Sequence, residues 1–409
     1  MPVDDERVAA HGIRKLAGEH LTLYTDLPAA DDVDELPLVF DKAVPQWCEY
    51  FGVDPVRAEN WRMTAFLMAD RDRFHAAELW SPELPQFLHG YQLGYELWLN
   101  EQPSAYYRRH LLLHEGTHGF MNLLLGGTGA PWYMEGIAEL LGTHRWSDGQ
   151  LTLRYFPKDR EETPEWGRIK IIKDEFAAGR GMTLTEILKY NGPVFLRNEP
   201  YAWCWGATAF FDNHPDYQQT FRSLRQEVRD NSSQFSQRFY DRLREQWPQI
   251  NEQWQLFVID MEYGYDVARA AVQYKAGQPL PAAGATVTVA ADRGWQSSGV
   301  RVEAGVTYRI TASGRYQVAD QPKVWWCEPG GVTIRYQRGQ PLGLLLAAVR
   351  DNDHPPEGLT PLASPAAIGL ERTITFDRPG TLFFRINESA ATLADNAGQL
   401  SVRVTANVN

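Results

Sequence analysis

Leu113-His114-Glu115-Gly116-Thr117-His118-Gly119-Phe120, then the break Gly126-Gly127-Thr128-Gly129-Ala130-Pro131, then Trp132-Tyr133-Met134-Glu135-Gly136-Ile137-Ala138-Glu139: this stretch decides how the chain is read. The first segment has the texture of a helix from about Ser104 to Leu125, with Ser104 as an N-cap whose hydroxyl accepts a bond from a free first-turn amide. Residues four apart on a helix share a face, so both imidazoles can reach one metal ion. Glu115 stands beside them, able to take a proton from metal-bound water. Glycine's freedom and proline's missing donor end the helix. A second helix, from about Met134 to Thr143, can then fold back across the first. Sixteen residues separate His118 from Glu135, which supplies a third ligand. Glu139, four further on, can accept a bond from a ligand imidazole and fix its tautomer.

The array HExxH followed by a Glu-bearing helix resembles the gluzincins, such as thermolysin-like peptidases and zinc aminopeptidases. Residues 113–141 are most similar to the bacterial peptidase-MA-like proteins. The resemblance implies zinc on His114, His118 and Glu135, with Glu139 in contact with a ligand and Glu115 as catalytic base. It also implies an oxyanion donor from a downstream Tyr, for which Tyr201 is the candidate and Tyr133 the alternative. The aromatic strand Tyr91–Trp98 would be the edge that pairs with an extended substrate. The interval of sixteen is slightly shorter than in the best-known members, and no Gly-x-Met-Glu-Asn motif precedes the helix, so endopeptidase action is expected. His89, His110 and His144 are expected at the surface or as helix caps.

Outward from this core, His20–Thr25 and Arg62–Met68 alternate like strands, and Asp32–Gly52 has an apolar stripe at helical spacing (Leu36, Val39, Phe40, Val44, Trp47, Phe51). Residues 145–275 look mostly helical. Residues 276–285 (Ala-Gly-Gln-Pro-Leu-Pro-Ala-Ala-Gly-Ala) are the linker candidate. Beyond them, short alternating segments between glycine turns indicate an all-β sandwich over 286–409. The expected fold is therefore α+β: a peptidase domain of mixed sheet and helices over 10–275, then a lectin-like sandwich.

In the sandwich, Glu388-Ser389-Ala390-Ala391-Thr392-Leu393-Ala394-Asp395-Asn396 gathers hard oxygen donors in one turn, the donor set calcium prefers. The segment resembles the calcium loop of the galactose-binding PA-IL-type bacterial lectin. That resemblance implies calcium ligands at Glu388, Thr392, Asp395 and Asn396, with the Ser389 carbonyl. Two ligand positions differ in residue type from the lectin, and its sugar-contacting His-Pro-x-Gln has no counterpart before Pro341.

Composition bounds the partners. With 409 residues, two domains are expected, and 44% hydrophobic against 22% charged residues is ordinary for a globular chain. A net charge of −12 argues against nucleic acid, and no apolar run approaches the roughly 20 residues of a membrane span. Three widely spaced cysteines, Cys48, Cys204 and Cys327, form no CxxC and read as buried free thiols. The polar start Met1–Arg7 does not read as a signal peptide. The resemblance implies an exported bacterial protein, periplasmic or extracellular, and a cytoplasmic one stays open. The expected partners are a peptide or glycoprotein substrate and a glycan. The rival expectation is a non-catalytic glycan- or protein-binding protein whose zinc site is structural or inactive.

Overall fold

The computed structural model describes residues 3–80, 83–351 and 358–406. It combines helices and sheets in an α+β chain whose contacts divide into two compact units, one formed by residues up to 175, 184–212 and 219–242, the other by 176–183, 213–218 and 243–409.

The first unit holds a five-stranded mixed sheet. Strands β1 (Arg14–Ala17), β2 (Leu21–Thr25), β3 (Met63–Met68), β4 (Gly90–Leu93) and β5 (Glu96–Asn100) lie in the order β1-β2-β3-β5-β4. β2, β3 and β5 run parallel, whereas β1 and β4 pair antiparallel at the two edges. Parallel neighbours need a crossover, and helix α1 (Leu36–Phe51) provides it between β2 and β3. Its stripe of Val39, Phe40, Ala43 and Trp47 is fully buried. There Phe40, Trp47, Trp61 and Phe120 interlock, with ring centroids 5.2–6.1 Å apart.

Helix α2 (Ala105–Phe120) runs through the middle of this unit, with Leu112, Leu113, Thr117 and Phe120 all buried. Ser104 caps it, accepting from the Tyr107 amide at 3.1 Å. α1 and α2 approach closely at Gly116, where a Cβ would meet Phe40 at 2.7 Å and Trp47 at 2.8 Å. A π-helical turn, Met121–Leu125, ends the rod, and Gly126 at φ 81° reverses the chain. Helix α3 (Pro131–Gly142) then packs back along α2. Its Pro131 opens the first turn, where no amide is required. The hairpin β6 (His144–Ser147) and β7 (Gln150–Leu153) follows, so the expected helical run begins later, with α4 (Arg168–Ala177), α5 (Glu199–Asn213) and α6 (Ser233–Arg242).

In the second unit, helix α7 (Trp247–Asp260) precedes a sandwich of two sheets. One contains β8 (Gln278–Pro279), β10 (Gln296–Val302), β16 (Leu345–Arg350), β17 (Ala366–Ala367) and β19 (Gly380–Ile386). The other contains β9 (Ala285–Ala290), β11 (Thr307–Ser313), β18 (Glu371–Thr375) and β20 (Gln399–Ala406). Short ribbons complete it: β12 (Tyr316–Ala319) with β13 (Trp325–Cys327), and β14 (Val332–Gln337) with β15 (Gln340–Leu342). The stretch expected as a linker carries β8, which pairs in parallel with β10.

β16 explains the longest apolar run of the sequence. Leu345, Ala347 and Val349 face the core between the sheets. Leu346 and Ala348 face the other way, into a second cluster with Leu256, Trp295, Leu362 and Phe383. A strand covered on both sides needs no polar alternation. The three cysteines are free and buried.

Candidate metal centre and its cleft

One turn of α2 brings His114 and His118 together, with their Nε2 atoms 3.1 Å apart. α3 lays Glu135 against both: its Oε2 lies 3.2 Å from His114 Nε2 and 3.5 Å from His118 Nε2. All three side chains are buried. A divalent ion bonded at 2.0–2.1 Å in a tetrahedral array spaces its ligand atoms about 3.3 Å apart. The three separations straddle that value, so these residues fit a metal ion. Burial raises the Glu135 carboxyl, yet the neighbouring His118 and His114 outweigh it and hold its pKa near about 2.

Glu139, one turn on, is fixed by a buried guanidinium. Arg168 of α4 donates to both its oxygens, Nε to Oε2 at 2.9 Å and a terminal nitrogen to Oε1 at 2.8 Å. Glu139 also faces two imidazoles, His114 Nδ1 at 3.5 Å and His110 Nε2 at 3.4 Å. Burial pushes the Glu139 carboxyl up, but Arg168 and His110 hold it well below the usual range. His110, His114 and Glu139 thus form a second cluster of donor atoms within 4.8 Å of one another. The bidentate arginine already neutralises that carboxylate, so a cation there competes with a pair formed in low dielectric. Sequence reading missed Arg168, since nothing in its spacing announces it. It also misjudged His110, expected at the surface or as a helix cap: the side chain lies inside α2 and is buried. His144 is buried too, its Nδ1 2.8 Å from the carbonyl of Gly142 at the end of α3.

Glu115 is buried against the edge strand β4. A Cβ on Gly90 would stand 2.6 Å from its Oε1. Burial pushes the Glu115 carboxyl up to about 7, with His118 opposing and Glu135 reinforcing the shift. A cavity of about 350 Å³ opens beside His114 and Glu115. Its walls are aromatic and apolar, among them Phe87, Tyr91, Tyr107, Phe195 and Tyr201. Leu88 and Leu196 stand at its mouth, 76% and 88% exposed.

Tyr201, on α5, lines the cavity with its ring centroid 6.1 Å from that of His114. Its hydroxyl donates weakly to the Phe195 carbonyl at 3.4 Å, and burial pushes the phenol up. The alternative, Tyr133, does not reach the cleft: it is buried among Trp132, Phe221 and Phe235, since α3 turns that face into the helical core.

In the sandwich, the acidic turn after β19 folds on itself. Glu388 Oε1 accepts from the Ser389 amide at 2.9 Å and from the Thr392 hydroxyl at 2.8 Å. The Ser389 carbonyl accepts from the Thr392 amide at 3.2 Å, and Asn396 Nδ2 donates to the Ala291 carbonyl at 2.9 Å. Glu388 Oε2, Asp395 Oδ1 and Asn396 Oδ1 are buried without a hydrogen-bond partner among the described residues. Burial pushes Glu388 up to about 7. Burial, then the nearby Asp320, raises Asp395. Three orphaned oxygens in one turn are a donor set that fits a hard cation.

No family model matches the chain, and no curated protein matches it. Among solved structures, the chain is similar to the EclA N-terminal domain, a PllA-like lectin, at 24% identity and TM-score 0.23, over 30% of this chain and 94% of that one. It is also similar to an IMPa metallopeptidase in complex with T-antigen, at 11% identity and TM-score 0.20, over 98% of this chain and 43% of that one. The chain thus spans less than half the length of that peptidase. Among the described residues, no helix is long and apolar enough to cross a membrane.

Proposed function

We propose that this chain is a zinc-dependent metallopeptidase of the gluzincin kind, an endopeptidase acting on protein or glycoprotein, with a C-terminal sandwich that anchors substrate or glycan. The observation that carries the reading is the convergence of His114, His118 and Glu135 within 3.1–3.5 Å of one another beside a buried carboxyl at the wall of a cleft.

Zinc held by His114, His118 and Glu135 would supply Lewis acidity to a water and to a substrate carbonyl. Glu115 takes the proton the attacking water loses and hands it to the departing amine. Glu139, locked by Arg168, orients the His114 ring. Tyr201, on the cleft wall, donates to the carbonyl oxygen as charge builds on it. β4 ends the sheet, and its open edge can take an extended peptide as a further strand. In the sandwich, calcium would sit on Glu388, Thr392, Asp395 and Asn396, with the Ser389 carbonyl.

Wild-type protein should retain stoichiometric zinc by elemental analysis and cleave peptides from a proteome-derived library. Glu115→Gln should keep the metal and lose about 10²–10⁴-fold in cleavage. A wild type that holds no zinc, or a Glu115→Gln variant as active as the parent, ends this reading.

A further inference from the structure

A second cavity, about 250 Å³, lies within the other unit, between the end of α7 and the sandwich. Its charged lining residues are Asp260, Arg338 and Arg385. Asp260, the last residue of α7, serves both arginines: its Oδ1 is 2.5 Å from an Arg338 terminal nitrogen, and its Oδ2 accepts from Arg385 at 3.3 Å. One carboxylate against two guanidiniums leaves the lining with one unmatched positive charge.

The guanidiniums are held in place. Arg385 lies over the Trp295 ring, 5.0 Å from its centroid. Arg338 sits in the turn between β14 and β15, which Asn387 ties down by donating to the carbonyls of Gln337, Gln340 and Pro341 at 2.9, 3.1 and 3.0 Å. At φ 51°, Arg338 occupies the left-handed region that glycine and asparagine favour.

Besides Asp260 Oδ1, which makes no hydrogen bond but has Arg338 as its ion-pair partner, two polar atoms of the lining are unspent. Arg385 Nε and Gln340 Oε1 are buried and have no hydrogen-bond partner among the described residues. The remaining walls, Leu256, Leu346, Leu362 and Pro365, are apolar. At roughly 30 Å³ per water, the space holds several waters or one molecule of about hexose size.

We propose that this cavity binds a small organic carboxylate that also carries a hydroxyl group. The carboxylate meets the unmatched charge and accepts from Arg385 Nε, a charge-assisted bond. The hydroxyl serves the Gln340 amide from either end, as donor to its oxygen or acceptor from its nitrogen. The carbon skeleton lies against the leucines. This site is separate from the metal centre and does not rest on the peptidase reading.

The test is calorimetric titration of the full chain with sodium D-glucuronate and sodium D-gluconate at constant ionic strength, with D-glucose and succinate as controls. Saturable single-site binding is expected for at least one hydroxy acid, with D-glucose and succinate at least tenfold weaker. Arg338→Gly removes one charge while giving the turn the residue its φ prefers, and should weaken binding at least tenfold with metal content and melting temperature retained. Asp260→Asn removes the competing carboxylate and should tighten binding severalfold. The two variants move affinity in opposite directions, which general damage would not do. The proposal is overturned if neither hydroxy acid binds, if D-glucose binds equally well, or if Arg338→Gly leaves the affinity unchanged. That last result would assign the heat to another site, the metal centre included.

Discussion

Gly90 has no side chain, and the Glu115 carboxyl fills the space one would take, 2.6 Å from where a Cβ would stand. Gly90→Ala should therefore push the carboxylate aside without touching a metal ligand. A displacement of that order can cost about 10²-fold in rate. Zinc content by elemental analysis should be unchanged, and a variant with full turnover would show that the carboxyl has room to spare. Arg168 acts by another route. Arg168→Met leaves the Glu139 charge buried with only His110 and His114 for company. Losing one partner of a buried ion pair costs about 3–5 kcal/mol, and losing support behind a ligand costs 10- to 100-fold in metal affinity. Chemical denaturation and a competitive zinc titration read the two effects separately. The His114 and His118 pair can be read in the sequence because helical spacing is local. Gly90 and Arg168 cannot, because sheet edge and helix packing bring them to the same place from distant parts of the chain; His110, one turn before His114, shares the spacing, but its burial against Glu139 depends on α3.

Among the elements, α3 shows how a helix end stores a pH dependence. His144 follows its last residue, Gly142, stacked on Tyr106 with ring centroids 4.6 Å apart and with Arg109 donating to its Nε2 at 3.3 Å. Burial pushes its pKa down to about 3, with the Arg109 charge adding to the effect. Below the unfolded value of about 6.5, the unfolded chain takes up a proton that the folded one refuses. Stability should thus fall as pH drops from 6.5 toward 3, by about 2 kcal/mol at pH 5. Urea midpoints of the metal-free protein at pH 7 and pH 5 should reveal that loss, and His144→Gln should reduce it. If the variant keeps the wild-type slope, the proton goes elsewhere. The strand content of the sandwich is legible because glycine turns punctuate alternating segments. The hairpin of β6 and β7 is not, since four-residue strands carry too short a period to stand out between helices.

On the scale of the whole molecule, the two proposed ion sites fall in different units, so each ion would stabilise its own unit. Calcium at a hundredfold its dissociation constant would add about 2.7 kcal/mol to the sandwich unit. Differential scanning calorimetry should show one transition rising with calcium in the wild type and insensitive to it in Glu388→Gln. Equal response of both proteins would remove calcium from the Glu388 turn. The α+β character of the chain is visible in its sequence from the change of texture near residue 276. The grouping of α7 with the sandwich is not, because an amphipathic helix does not declare which neighbour it will cover.

The two-sided burial of β16 restricts how this protein can be taken apart. A fragment cut at residue 286 keeps every strand from β10 onward but sheds Leu256 of α7 with Val272 and Tyr274, uncovering part of the face that Leu346, Ala348 and Phe383 form. A cut at residue 243 retains the covering helix. The seam for dissecting the sandwich half therefore lies some thirty residues ahead of the place where the sequence changes its texture, although residues 176–183 and 213–218, which pack with that half, stay behind.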